Sequence, residues 1–143
     1  MYWAQRADLP GKARNSAVAF SIGTKGYVGT GFDGDSSLND FWEYDQDSAT
    51  WTQRANFAGS ARYDAVGFAL NNAGYISCGF DGNYLKDLWQ YDPTADEWVE
   101  KASIGGTKRS AAQSFVMDNK ACIVSGNNNG ATDRPTGNFQ TKK

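Results

Sequence analysis

The chain has 143 residues, 40% hydrophobic and 14% aromatic, with a formal net charge of −2. That length and apolar content suit one domain with a buried core, and 16 glycines among short apolar runs favour strands over helices. Scattered Lys and Arg with a pI near 5.0 argue against nucleic acid as a partner, and the absence of any histidine removes Ser-His-Asp and Cys-His nucleophiles, an imidazole base and the usual His-containing zinc and copper centres.

No apolar run approaches the roughly 20 residues that span a bilayer, so no membrane insertion is expected. The N-terminal stretch "MYWAQRADLP" lacks the apolar centre of a signal peptide. Cys78 and Cys122 have neither metal-ligand spacing nor the numbers of a disulfide framework and read as unpaired, buried small side chains. No cofactor is expected.

In chain order, residues 1–8 around Trp3 read as an outer strand. The run "SAVAF" (16–20) is apolar but built of small residues, which suits an innermost strand crowded on both faces. "GTKG" supplies a tight turn, and "GYVGTG" (26–31) is a second strand ending in glycine. After the loop "GFDGDSSLND", the stretch "FWEYD" (41–45) alternates, placing Trp42 and Tyr44 on one face, and a fourth strand carries Trp51.

The same series then returns with a period of 47 to 48 residues. Trp is followed by Arg eleven residues later and by Phe seventeen residues later three times: Trp3, Arg14, Phe20; Trp51, Arg62, Phe68; Trp98, Arg109, Phe115. The second unit runs through "DAVGF", "NNAG", "GYISCG", "GFDGNYLKD" and "LWQYD", and leaves by "YDPTADEW", where Asp92-Pro93 fits a type I turn. The third keeps "DNKA" and "ACIVSG" but loses the aromatic strand; only Asn138 and Phe139 echo it. Each complete unit is a meander of four antiparallel strands.

The glycine-terminated second strand, the D-[FL]-W-x-Y-D third strand and a Trp nine residues beyond its first Trp resemble kelch repeats, most closely bacterial kelch proteins with "GFDG" loops, within the galactose oxidase-like central domain superfamily. The resemblance covers residues 3–126 and implies an all-β fold of kelch-type propeller blades. It divides a single 1–143 domain into an outer strand of a closing blade (1–8), blade 1 (14–54), blade 2 (62–101) and an incomplete blade 3 (109–143). One departure is visible: the first of two glycines usual before the loop is replaced by Thr30, Cys78 or Ser125. Propellers close with about four to eight blades, so three units leave an open ring. Either the remainder of a longer propeller chain completes it, or a homodimer closes a six-bladed ring in which the Trp3 strand of each copy completes the third blade of the other.

Residues identical in every unit are read as structural. Arg14, Arg62 and Arg109 would pair with a carboxylate of the neighbouring blade, Asp40, Asp87 or Asp45; the alternative is a ring of guanidinium groups binding an anion at the channel mouth. The repeated Trp and Tyr are read as packing between blades. Asp33, Asp35 and Asp81 are weighed as calcium ligands but lack a dense oxygen-ligand series, which favours a turn. By the resemblance, the loops before the first strand and after the second share one face. Their variable residues are therefore the binding candidates: Asn15, Tyr63, Asp64 and Lys108 from the first set, Asp35, Ser36, Ser37, Asn83, Tyr84 and Asn128 from the second.

The resulting expectation is a non-catalytic module that recognises a protein or glycan partner through those loops. The alternatives are a sialic-acid epimerase or mutarotase-like kelch enzyme, with Arg62 or Arg109 holding a carboxylate and Asp64 or a Glu as base, and a structural repeat of a larger surface protein. Copper radical oxidase chemistry, known in the superfamily, is disfavoured because that site requires histidines. Relatives of this type are often exported, which is the resemblance's implication for location.

Overall fold

The structure is a computed structural model, and it describes residues 1–128, 131–132 and 138–139. Its first sheet contains β1 (Val18–Ile22), β2 (Lys25–Gly29), β3 (Phe41–Asp45) and β4 (Thr50–Arg54). The second contains β5 (Val66–Leu70), β6 (Ala73–Ser77), β7 (Leu88–Asp92) and β8 (Glu97–Lys101). Both are antiparallel meanders in sequence order. A third sheet begins with β9 (Gln113–Met117) and β10 (Lys120–Val124). A short hairpin of β11 (Asn127–Asn128) and β12 (Ala131–Thr132) follows, after which β13 (Asn138–Phe139) pairs on β10. These sheets have the form of propeller blades, two complete and one partial.

The turn chemistry dictates the hairpins. Asn71 and Asn72 join β5 to β6 with φ of 52° and 58°, and Asp118 and Asn119 join β9 to β10 with 50° and 59°. Positive φ at both central residues gives a type I′-like turn whose twist suits the flanking strands, and Asn and Asp tolerate it. After the third strands, Asp45 and Asp92 take over: each carboxylate accepts from two backbone N–H groups ahead of it, Asp47 and Ser48 in one case, Thr94 and Ala95 in the other.

The small residues of the first strands are explained by how the blades meet. β1 lies against β5, and β5 against β9. Phe20 covers Gly74 so closely that a Cβ there would sit 2.3 Å from the ring, and one on Gly67 would sit 2.9 Å from Val18 Cβ. One blade on, Phe68 and Leu70 share a core with Ala112, Ala121 and Ile123. Each blade thus presents a face with large side chains to a face with small ones. Further out, Tyr91 and Trp98 pack on Phe41 at ring separations of 4.8 and 4.9 Å. Phe41 and Tyr91 are fully buried, each contributing about 1.5–3 kcal/mol of hydrophobic stabilisation. The Trp98 indole donates to the Ala55 carbonyl at 3.1 Å, as the Trp51 indole does to Ala7 at 2.9 Å.

Backbone bonds repeat from blade to blade. Gly31 N–H donates to the Arg62 carbonyl at 2.8 Å and Gly79 N–H to that of Arg109 at 2.9 Å. Asp64 N–H donates to Ser16 O at 3.1 Å and Ala111 N–H to Asp64 O at 2.9 Å. The expected outer strand at residues 1–8 is unformed: among the described residues 1–9 join no strand, and Tyr2 and Trp3 are 90% and 98% exposed. The reason is topological. An outer strand pairs with the third strand of its own blade, and the third strands of the two complete sheets, β3 and β7, already pair with β4 and β8. Cys78 is buried, but Cys122 is only half-buried.

Candidate functional site

The repeated arginines sit at the root of the loop face. Arg14 makes a two-pronged ion pair with Asp40, 2.6 and 2.7 Å, and Trp42 donates its indole N–H to the same carboxylate at 2.7 Å. Arg62, Asp87 and Trp89 repeat the arrangement at 2.6, 2.7 and 2.8 Å. Two corrections follow. The pairs lie within one blade, not between neighbours, because Arg and Asp root the two loops of the same sheet. Asp45 is no partner of these arginines; it binds Lys25.

The arginines are also withdrawn from ligand. Arg62 and Arg109 are each 1% exposed, and the Arg14 side chain is 4% exposed. Each guanidinium spends another N–H on a carbonyl at the end of the second strand: Thr30, Cys78 and Ser125 respectively, at 3.2, 2.9 and 2.9 Å. Arg62 further lies 4.9 Å from the centre of the Phe57 ring. An anion-binding ring of these three side chains is therefore not what their geometry provides. Burial pushes the Asp40 carboxyl upward, but bonds from Arg14 and Trp42 outweigh it and hold it below its ordinary value.

The "GFDG" aspartates serve their own turns. Asp33 accepts from the Asp35 and Ser36 N–H groups and from Lys12, and Asp81 accepts from Asn83 N–H and the Ser60 hydroxyl. The Lys12 bond, with those amides, holds the Asp33 carboxyl below the usual carboxylate range. Among the described residues no group of three His, Cys, Asp or Glu is placed to hold a metal ion.

The two loop sets do meet on one side. Asn15 bridges Phe32, Tyr63 bridges Phe80 and Ser110 bridges Asn127, while Leu38 and Leu85 bridge Arg62 and Arg109. Four of the sequence-predicted residues, Asn83, Tyr84, Lys108 and Asn128, line one crevice of about 440 Å³ with Phe80 and Gly82. Tyr63 pairs with Phe80 of its lining, whereas Asn15 pairs with Phe32 of the first blade and Asp64 exchanges backbone bonds with Ser16 and Ala111, so neither lines it. Asp35, Ser36 and Ser37 occupy the first blade's loop and do not line that crevice.

Sequence reasoning missed Phe32 and Phe80. With Tyr63 and Tyr84 they form a line of half-buried rings, Phe32–Tyr63, Tyr63–Phe80 and Phe80–Tyr84, at 5.3, 5.7 and 5.2 Å. The signal was present: an aromatic follows the glycine in both "GFDG" loops but not in the third, where Asn127 stands.

With the blade plan in view, the comparisons are decisive for its middle unit. The Kelch motif family matches residues 61–105. That span resembles a kelch repeat. Its boundaries take in the Arg62–Asp87–Trp89 cluster and the Tyr84 side of the crevice. The solved structure of YjhT, a kelch-type propeller protein, is similar at a TM-score of 0.73 and 22% identity over 85% of this chain. This chain spans 36% of the length of YjhT. No curated protein matches the chain.

Proposed function

We propose that this kelch module binds without catalysing, taking a glycan on its loop face. The observation that carries this reading is the make-up of the crevice: half-buried Phe80 and Tyr84 rings, flanked by the amides of Asn83 and Asn128 and the ammonium of Lys108. Aromatic faces stack on the apolar face of a sugar, amides both donate to and accept from its hydroxyls, and one cation favours an acidic substituent. The line of rings from Phe32 to Tyr84 extends the apolar surface past a single sugar unit. What weighs against a mutarotase-like reading is the burial of Arg62 and Arg109, the guanidiniums that would have to hold a substrate carboxylate.

The test is calorimetric titration with a panel of neutral and acidic oligosaccharides. Binding is expected, strongest for an acidic chain, and Tyr84→Ala is expected to weaken it about tenfold or more, the loss of roughly 1–2 kcal/mol of stacking. No binding by any saccharide refutes the glycan reading, and binding unchanged in Tyr84→Ala removes the crevice as its site. Anomer exchange of a free acidic sugar at a rate above the uncatalysed one would refute the non-catalytic reading.

A further inference from the structure

We propose, resting on the glycan reading of the crevice, that the ligand is one soluble chain several units long. It lies along the four loop-face rings with one end in the crevice; a lone sugar and a flat polysaccharide surface are the forms this excludes. The rings, Phe32, Tyr63, Phe80 and Tyr84, all belong to loops of the two complete sheets. Their centres follow one another at 5.3, 5.7 and 5.2 Å, steps close to the length that one pyranose unit adds to an extended chain. Successive planes are turned by 54°, 60° and 65°. Rings so turned offer no common plane to a flat crystalline face, whereas a single chain can bring its units to each ring in turn.

The second sheet supplies most of the line. Phe32 and Phe80 hold equivalent places in the two "GFDG" loops. Phe32 bridges Asn15 and Ser37, and Phe80 bridges Tyr63 and Tyr84, so two polar residues of the first unit are replaced by rings in the second. The line therefore has ends: Asn15 and Ser37 beside Phe32, and Asn83, Lys108 and Asn128 beside Tyr84. These two tyrosines also differ from those packed between the sheets. Tyr27 and Tyr91 spend their hydroxyls on Glu43 and Asp96. The hydroxyls of Tyr63 and Tyr84 have no hydrogen-bond partner among the described residues, and neither do the side-chain amides of Asn83 and Asn128. Polar groups thus stand beside the rings uncommitted, which is what a sugar requires: an apolar face to stack on and partners at the rim for its hydroxyls.

Calorimetric titration of the 143-residue chain with cello-, xylo- and chito-oligosaccharides and oligogalacturonides of rising length tests this. In at least one series affinity is expected to rise about threefold or more with each added unit, and to level off once the chain reaches Phe32. Phe32→Leu keeps an apolar side chain but removes the ring. It is expected to retain its strand signal by circular dichroism and to lower the ratio of longest-chain to shortest-chain affinity by about threefold or more. Should that variant not fold, the wild-type length series still decides. Affinity independent of length, or a ratio unchanged in folded Phe32→Leu, overturns this proposal while leaving the crevice as a glycan site. Retention on crystalline cellulose that the soluble oligomers fail to displace overturns the single-chain form. No binding in any series overturns the glycan reading and this inference with it.

Discussion

Thr30 is the residue whose replacement by glycine should stabilise this protein most. It is fully buried, it adopts φ of 57°, and its hydroxyl has no hydrogen-bond partner among the described residues. The left-handed conformation costs an L-residue about 1–2 kcal/mol, and a buried unpaired hydroxyl about 1–3 kcal/mol. Against this, glycine adds about 0.5–1 kcal/mol of unfolded-chain entropy, and the lost Cβ and methyl together forfeit about 1.6 kcal/mol. The balance is a gain of about 1 kcal/mol, or roughly 2–4 °C in Tm for a chain of this size. Urea unfolding followed by circular dichroism, at fixed protein concentration, reads it as a higher midpoint with unchanged slope. Cys78→Gly relieves the same strain, φ 61°, but removes no orphaned hydroxyl, since Cys78 Sγ lies 3.5 Å from Ser77 Oγ. Its gain should be the smaller. A Thr30→Gly midpoint equal to or below wild type refutes the account, and a larger gain for Cys78→Gly refutes the role given to the hydroxyl.

Two further outcomes are expected. Tyr91 donates to Asp96 at 2.7 Å, but the buried Tyr44 hydroxyl has no partner among the described residues, Ala49 occupying the Asp96 position of the first blade. Ala49 also has φ of 56°, which aspartate tolerates better, so Ala49→Asp should raise stability by about 1 kcal/mol, read by thermal melting; a fall would show that the carboxylate cannot reach. With no histidine, Tm should be flat from pH 5 to 8. Asp40 and Glu43 both titrate below their ordinary values of 3.8 and 4.5, so the unfolded chain takes up protons first and stability should fall as pH drops below about 4. Asp40→Asn should lower Tm at neutral pH and make the acid fall shallower; an acid slope unchanged in that variant would remove Asp40 from the explanation.

The blades were legible because their signals are local and repeated. Alternation in "FWEYD", paired asparagines at the β5–β6 turn and the spacing from Trp to Arg each report a property of one strand or one hairpin. Partnerships across the blade were less so. Arg14 and Asp40 lie 26 residues apart, and only the folded meander shows that they root loops of one sheet. The Trp3 segment has the composition of an outer strand yet forms none, because a strand needs a neighbour and composition carries no information about one. Of the candidate site, variability between units located Asn83, Tyr84, Lys108 and Asn128, which share a crevice. It hid Phe32 and Phe80, which repeat and so read as frame, although their rings carry the apolar part of the same surface.

The repeated and the variable residues are mechanically connected. The Arg62 guanidinium binds the Ser60 carbonyl before the first strand of its blade, the Cys78 carbonyl after the second and Asp87 before the third. One buried cation therefore clamps the ends of both loops of that blade, and Arg14 does the same through Lys12, Thr30 and Asp40. Breaking such a pair leaves a charge uncompensated in the interior, a cost of roughly 3–5 kcal/mol when burial is complete. With their ends held this firmly, the loop tips between residues 33–37 and 81–84 can change composition without disturbing the sheets. The left-handed backbone at Thr30, Cys78 and Ser125 belongs to the same device, since it turns each of their carbonyls toward an arginine. Strain at that point is the cost of a rigid loop base, and such a base is what the proposed glycan site in the crevice of rings and amides would need to hold its shape.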